Sequence, residues 1–190
     1  MRKTGNTNLL VQKILDSAKK RNSEVEIKVL QISQLQIEPC RGCTHFCKKN
    51  LYQCLIRDDL ETVFGEMKNS QAIVIGSPLY FYIPSRLTAL IERLVTLSYF
   101  YETKHLEKPE PLEGKPCGLV AVCAEYGVSR VLEYLFDFVL HLKMKPMMMN
   151  SYPYLGVGGN AKLEKDEALN PLENAEVLGK LLLEAIEARI

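Results

Sequence analysis

Residues 72–97 read AIVIGSPLYFYIPSRLTALIERLVTL, and this stretch decides the fold. Ala72 to Gly76 is a short, unbroken apolar run, the pattern of a parallel strand covered on both faces. Ser77 to Pro84 breaks that run with two prolines and three consecutive aromatics, Tyr80, Phe81 and Tyr82, which cannot all be core. Ser85 through about Leu97 then reads as a helix. A buried strand, a loop at its carboxyl end and a returning helix form the repeating unit of an α/β sheet.

The same unit recurs on either side. Cys117 to Cys123, CGLVAVC, is a second buried strand, followed by a turn at Glu125-Tyr126-Gly127 and a helix from about Ser129 to Leu142. Thr7 to Arg21 sets Leu10, Ile14 and Ala18 on one face of an amphipathic helix, with basic residues in its last turn. Glu24 to Ile32, EVEIKVLQI, alternates Val25, Ile27 and Val29 with charged neighbours and predicts a half-buried strand near a sheet edge. Asp58 and Asp59 open a helix to about Lys68, with acids where the helix dipole favours them. Lys145 to about Leu155 is a Met-rich final strand, and Pro171 to Ile190 is a closing helix. Residues 98–116, polar and proline-rich, predict a long connection. The whole is a doubly wound α/β sheet in a single domain over residues 1–190.

Composition narrows the function classes. The 190 residues carry 24 Lys and Arg against 23 Asp and Glu, a net charge of +1. No global field attracts nucleic acid or an anionic bilayer. No stretch approaches the roughly 18 uninterrupted apolar residues of a membrane span, and the first residues lack a signal peptide's apolar region. The chain is expected to be soluble and cytoplasmic.

The unusual feature is cysteine. Four of six fall between Cys40 and Cys54, as C-x2-C-x3-C-x6-C from Cys40, Cys43, Cys47 and Cys54. Disulfides are not expected in a reducing compartment, and soft thiolates on one loop suit an iron-sulfur cluster or a structural zinc. Zinc ribbons usually join two C-x2-C pairs across a longer spacer, and only one pair exists here, so a cluster is favoured over zinc. Thiols that bind nothing, or that are redox-active, are the third reading. Arg41, His45, Lys48, Lys49 and Arg57 flank the sulfurs; they either offset thiolate charge and keep the thiol pKa values low, or form a solvated basic loop. Cys117 and Cys123 read as small core hydrophobes.

Ligands of a doubly wound sheet sit outside the carboxyl ends of its strands. Three segments lie there: Met1 to Asn8, Ser77 to Pro84 and Ala124 to Gly127. The first contains RKTGNT ahead of a helix, where backbone N–H groups and the helix dipole receive a phosphate. An N-cap by Asn6 or Thr7 explains the same residues. In the second, exposed aromatics at a strand end suit stacking on a planar ring.

RKTGNT, the clustered cysteines followed by Asp58-Asp59, and AIVIGSPLYFYIPSRLTALIERL together resemble the iron-sulfur flavoproteins, within the NADPH-dependent FMN reductase and flavodoxin-like group. The match runs over roughly residues 2–97 and in outline beyond. The resemblance implies a flavodoxin-like parallel sheet of order 2-1-3-4-5, bound FMN, and a 4Fe-4S cluster near the flavin. It implies that Arg2, Thr4, Gly5, Asn6 and Thr7 hold the FMN phosphate. Ser77, Pro78, Leu79, Tyr80 and Phe81 would lie against the ribityl chain and ring, and Ala124, Glu125, Tyr126 and Gly127 would cover the flavin's other side. Cys40, Cys43, Cys47 and Cys54 would hold the cluster, in a loop over residues 37–58. The family usually has two residues between its second and third cysteines, whereas Thr44, His45 and Phe46 intervene here.

The implied activity is an FMN-dependent oxidoreductase or electron carrier, relaying electrons between FMN and the cluster and drawing on NAD(P)H or a redox partner protein, with a small-molecule acceptor. A cluster-free NAD(P)H-dependent FMN or quinone reductase, its loop holding zinc or nothing, is the alternative enzyme; a non-catalytic flavin- or zinc-binding module is the alternative of another class. Self-association as a dimer or tetramer follows from the resemblance only. No Ser/His/Asp set or carboxylate pair appears at the loop positions, so cofactors would carry the chemistry and no catalytic side chain is assigned. The family's first strand and the Gly-Ser of its phosphate loop are missing from the sequence. Met1 is therefore expected to be an internal methionine of a longer native chain, with roughly ten residues upstream supplying the central strand.

Overall fold

The computed structural model describes residues 5–104, 109–163 and 168–189. Among these residues four parallel strands, β1 (Ile73–Pro78), β2 (Pro116–Val122), β3 (Lys145–Pro146) and β4 (Val157–Gly159), form one sheet, accompanied by six α-helices: α1 (Asn6–Arg21), α2 (Thr44–Lys49), α3 (Leu60–Asn69), α4 (Ser85–Glu102), α5 (Val128–His141) and α6 (Pro171–Glu187). β1 pairs with β2 in register from Ile73 opposite Cys117 to Pro78 opposite Val122. On the other side of β2, β3 pairs with its start and β4 with its end. β1, β2 and the split β3/β4 thus form the 3-4-5 side of a flavodoxin-like order.

The pleat of β2 sorts the core into two layers. Cys117, Leu119, Ala121 and Cys123 face α4 and α5, while Val120 and Val122 face α1 and α6. Alternate side chains point to opposite faces, so a strand covered on both must be apolar throughout, and every residue of β2 is buried. β1 differs from expectation. Ile73 to Gly76 are only half-buried, because among the described residues nothing pairs with the edge of β1 that faces away from β2.

Three further predictions are corrected. Residues 25–31 belong to no strand: the alternation of Val25, Ile27 and Val29 is present, but extended backbone becomes a strand only where a ladder accepts its N–H and C=O groups. The segment is instead fastened by Lys28 to Glu66 at 2.6 Å and by Leu30 and Ile32 against the core. The Met-rich strand is only two residues long before it breaks. Pro146 and Pro153 offer no N–H to a ladder, and Met147 N–H donates to Cys117 O at 2.8 Å before the chain turns away and re-enters as β4. The connection begins later than expected, since α4 continues to Glu102 and buries Ser98 and Phe100.

That last helical turn carries a buried polar node. Glu110 accepts hydrogen bonds from Tyr52 Oη and from Ser98 Oγ, the latter at 3.2 Å. Burial pushes the Glu110 carboxyl above its ordinary 4.5. A carboxyl whose folded pKa is raised contributes stability below pH 4.5 that is lost as the pH rises through the folded value. Glu110→Gln removes this titration, so between pH 4 and 7 the wild type is expected to lose stability relative to E110Q as pH rises, measured by paired urea melts.

Among the described residues no helix is long and apolar enough to cross a membrane.

Candidate functional site

Three loops meet outside the carboxyl ends of the strands. Arg2 and Thr4 lie outside the described residues. Gly5 is the N-cap of α1, and among the described residues no side chain caps the helix, so neither Asn6 nor Thr7 fills that role; the N–H groups of a first helical turn suit an outside acceptor. Asn6 instead donates from Nδ2 to Asn160 O at 3.1 Å and Ala161 O at 3.0 Å, tying the helix start to the loop after β4. Thr7 is buried, its methyl over Gly76 of β1.

Ser77 is fully buried and its hydroxyl donates to Pro78 O at 2.9 Å. Pro78 ends β1, and Leu79 N–H extends the ladder to Val122 O at 2.7 Å. The aromatics that follow stand in the open: Tyr80 is 78% and Phe81 81% exposed, with Phe81 edge-on to Tyr82. On the loop after β2, Ala124, Glu125 and Tyr126 are exposed, Tyr126 at 86%. Gly127 has φ +104, and a Cβ there would lie 2.6 Å from Leu79 Cδ2. Only glycine takes that backbone without strain, and this single glycine lets the second and third loops close on each other. Large apolar rings left in water suit stacking on a flat ring, and the amides of a helix N-terminus suit a phosphate. Sequence reasoning missed the rim's other members: Tyr152 Oη lies 2.8 Å from Ser129 Oγ at the start of α5, with Tyr154 edge-on to it. Nothing in the local pattern marks them, because they sit in the break between β3 and β4.

The cysteines form a second centre. Cys43 is the N-cap of α2 and Cys47 lies one turn on, buried. The three intervening residues are therefore one helical turn, which sets both thiols on the same side. Cys40, Cys43, Cys47 and Cys54 line one shallow, open recess, with Arg93 among its other walls. All six cysteines are thiols; Cys117 and Cys123 are buried in the core, as expected.

Burial, and then Cys43, Cys54 and Cys40 in turn, push the Cys47 thiol up to about 11. The flanking basic residues do not counter this. Lys48 rests on the Phe100 ring and Arg57 pairs with Glu61 at 3.4 Å. A bound cationic centre would take up the charge of a Cys47 thiolate that these neighbours oppose. Among the described residues no three His, Cys, Asp or Glu are grouped so that they could hold a metal ion as they stand.

The stems of this loop are locked. Asp58 accepts from Glu38 N at 2.8 Å and Leu60 N at 3.1 Å, and Asp59 accepts from Gln36 N at 2.7 Å. The adjacent acids serve this closure rather than only the start of α3. Arg93, 1% exposed, pairs with Asp58 at 2.5 Å. Burial opposes the Asp58 charge, but the Arg93 bond and the two backbone donors outweigh it and hold the carboxyl below its ordinary range. Sequence reasoning missed Arg93, whose signal is a lone cation between Ile91 and Leu94 on the apolar side of α4.

The model of the NADPH-dependent FMN reductase family matches residues 1–154. An iron-sulfur flavoprotein of Methanocaldococcus jannaschii is 29% identical over 98% of this chain and 93% of its own length. An iron-sulfur flavoprotein of Archaeoglobus fulgidus is 30% identical over 99% of this chain and 77% of its own. Among solved structures, RosB with a bound 8-demethyl-8-formylriboflavin-5'-phosphate intermediate superposes with a TM-score of 0.71 at 14% identity, over 99% of this chain and 75% of that one. The azoreductase AzrA gives 0.59 at 12% identity, over 97% and 94%. The last two likenesses concern the fold alone.

Proposed function

The chain belongs to the NADPH-dependent FMN reductase family, among its iron-sulfur flavoproteins, and is an FMN-dependent oxidoreductase; we propose that it relays electrons between FMN at the sheet's carboxyl end and a 4Fe-4S cluster held by Cys40, Cys43, Cys47 and Cys54. When bound, FMN exchanges a hydride or two single electrons, whereas a thiolate-held cluster passes one at a time.

The observation that carries this reading is the single recess lined by all four clustered thiols. A single zinc ion would want its ligands around a point, and a cluster wants them around a volume. The chain's own part is to bind and to orient. The first turn of α1, with Gly5, Asn6 and Thr7, offers its amides to the phosphate, and Arg2 and Thr4 complete that loop by resemblance. Ser77, Pro78 and Leu79 make a rigid wall, since the loop is still hydrogen-bonded to β2 there. Tyr80 and Phe81 supply ring surface, and Ala124 to Gly127 form the opposite lip. α4 joins the two centres: it starts beside the aromatic loop at Ser85 and lines the cysteine recess from Arg93, about 12 Å further along its axis. Electrons enter from NAD(P)H or from a redox protein, consistent with the family.

Protein purified without oxygen is expected to be yellow-brown, with one FMN, four iron and four acid-labile sulfides per chain, the stoichiometry of one 4Fe-4S centre. A yellow protein that keeps zinc and holds no iron would overturn the cluster assignment. Colourless protein that takes up no added FMN would overturn the flavin site.

A further inference from the structure

We infer that Arg93 sets the redox potential of the cysteine centre, by clamping both stems of the loop and donating its spare Nε–H to the Cys54 sulfur. The inference rests on the cluster reading above.

Arg93 is the largest fully buried side chain among the described residues. Its fork reaches both sides of the loop: Nη1 donates to Asp58 Oδ2 at 2.5 Å and to Glu38 O at 3.2 Å, and Nη2 donates to Ile56 O at 3.2 Å. Glu38 precedes Cys40, while Ile56 and Asp58 follow Cys54, so one guanidinium fixes the distance between the first and last ligands. A planar fork with five donors can do this; a lysine cannot.

Four of those donors belong to the two terminal nitrogens. The fifth, on Nε, is buried and meets no acceptor in good hydrogen-bonding geometry among the described residues. Such an orphan costs about 1–3 kcal/mol and calls for a reason. The Cys54 thiol stands against the guanidinium, on the wall of the recess that Arg93 also lines. A thiol is a weak acceptor, but a cluster-bound thiolate carries negative charge and is a far better one. Binding the centre therefore gives the orphan its partner. N–H donors to cluster sulfurs stabilise the reduced, more negative state and raise the potential. Asp58 balances the charge of Arg93, so the effect belongs to the directed N–H bond rather than to a bare cation.

The test uses the complete protein, purified without oxygen and grown on ¹⁵N-arginine. The reduced protein is expected to show a ¹⁵N hyperfine coupling by pulsed EPR. Arg93→Lys, which keeps the charge and loses Nε–H, should abolish that coupling. It should also lower the reduced-to-oxidised ratio at a fixed electrode potential at least tenfold, which is about 59 mV for one electron. A wild-type protein with full iron and sulfide but no nitrogen coupling overturns the inference even if R93K does not fold. An R93K protein with full iron and an unshifted potential overturns it too, and in both cases the cluster assignment stands. Absence of iron and sulfide from the wild type would instead overturn the cluster assignment and this inference with it.

Discussion

Protein carrying Cys54→Ala is expected to leave anaerobic purification with its FMN complete and its iron and acid-labile sulfide reduced at least tenfold. Loss of one of four thiolates removes a quarter of the ligand field outright, and even outer-shell substitutions at metal sites cost about 10–100-fold in affinity. Cys54 is the informative position because it stands apart from α2. Cys43 and Cys47 share one helical turn and Cys40 lies close before it, whereas Cys54 reaches the recess only after Tyr52 turns the chain at φ +55. It is also the thiol that Arg93 faces. None of the residues lining the recess belongs to the three loops at the sheet's carboxyl end, so the flavin has no direct reason to leave. Metal analysis and the flavin absorbance of one sample settle both halves. Loss of FMN together with iron would show that the cysteine loop supports the flavin site; unchanged iron would show that Cys54 is not a ligand.

Both candidate sites can be read in the sequence as far as their chemistry is local. The strand at Ala72 to Gly76 and that at Cys117 to Cys123 are continuous apolar runs, and the cysteine spacing falls within a single loop. What escaped depends on partners distant in the chain. The alternation in Val25, Ile27 and Val29 is a property of the segment, but a strand is a property of a pair, and residues 25–31 have no ladder. Arg93 looks like one more charge on a helix until Glu38, Ile56 and Asp58 are seen around it. The cations nearest the cysteines in sequence were the more visible candidates, yet Lys48 and Arg57 bind elsewhere. The extra residue between Cys43 and Cys47, a departure from the family pattern when counted along the chain, becomes one turn of helix in space.

Gly179→Ala is expected to lower the melting temperature by about 6 °C and to weaken FMN binding while leaving iron content unchanged. α1 and α6 pack closely side by side, with Ser17 Oγ donating to Glu176 O at 2.8 Å and Lys13 paired to Glu176 at 2.7 Å. Gly179 makes that approach possible: a Cβ there would lie 2.3 Å from Ile14 O and 2.8 Å from Ser17 Cβ. The obstruction is a carbonyl in the middle of α1, held by its own helix, so it cannot swing aside as a side-chain tip would. Alanine gains about 1 kcal/mol in helix propensity over glycine, but overpacking of this severity costs about 3 kcal/mol. The net loss of about 2 kcal/mol corresponds to some 3 °C per kcal/mol in a chain of this length. The strain is relieved by moving α6 and α1 apart, and α1 carries Gly5, Asn6 and Thr7 at its mouth, where Asn6 is bonded to the loop after β4. A helix that shifts as a rigid body takes its first-turn amides off the phosphate position, whereas the cysteine recess, on α2 and α4, rests on the other layer of the core. A thermal melt and an FMN titration of one variant therefore test the packing and the site together. A G179A protein melting at or above the wild type would show that α1 and α6 separate without cost. Normal FMN affinity in a destabilised one would free the phosphate loop from the position of α1.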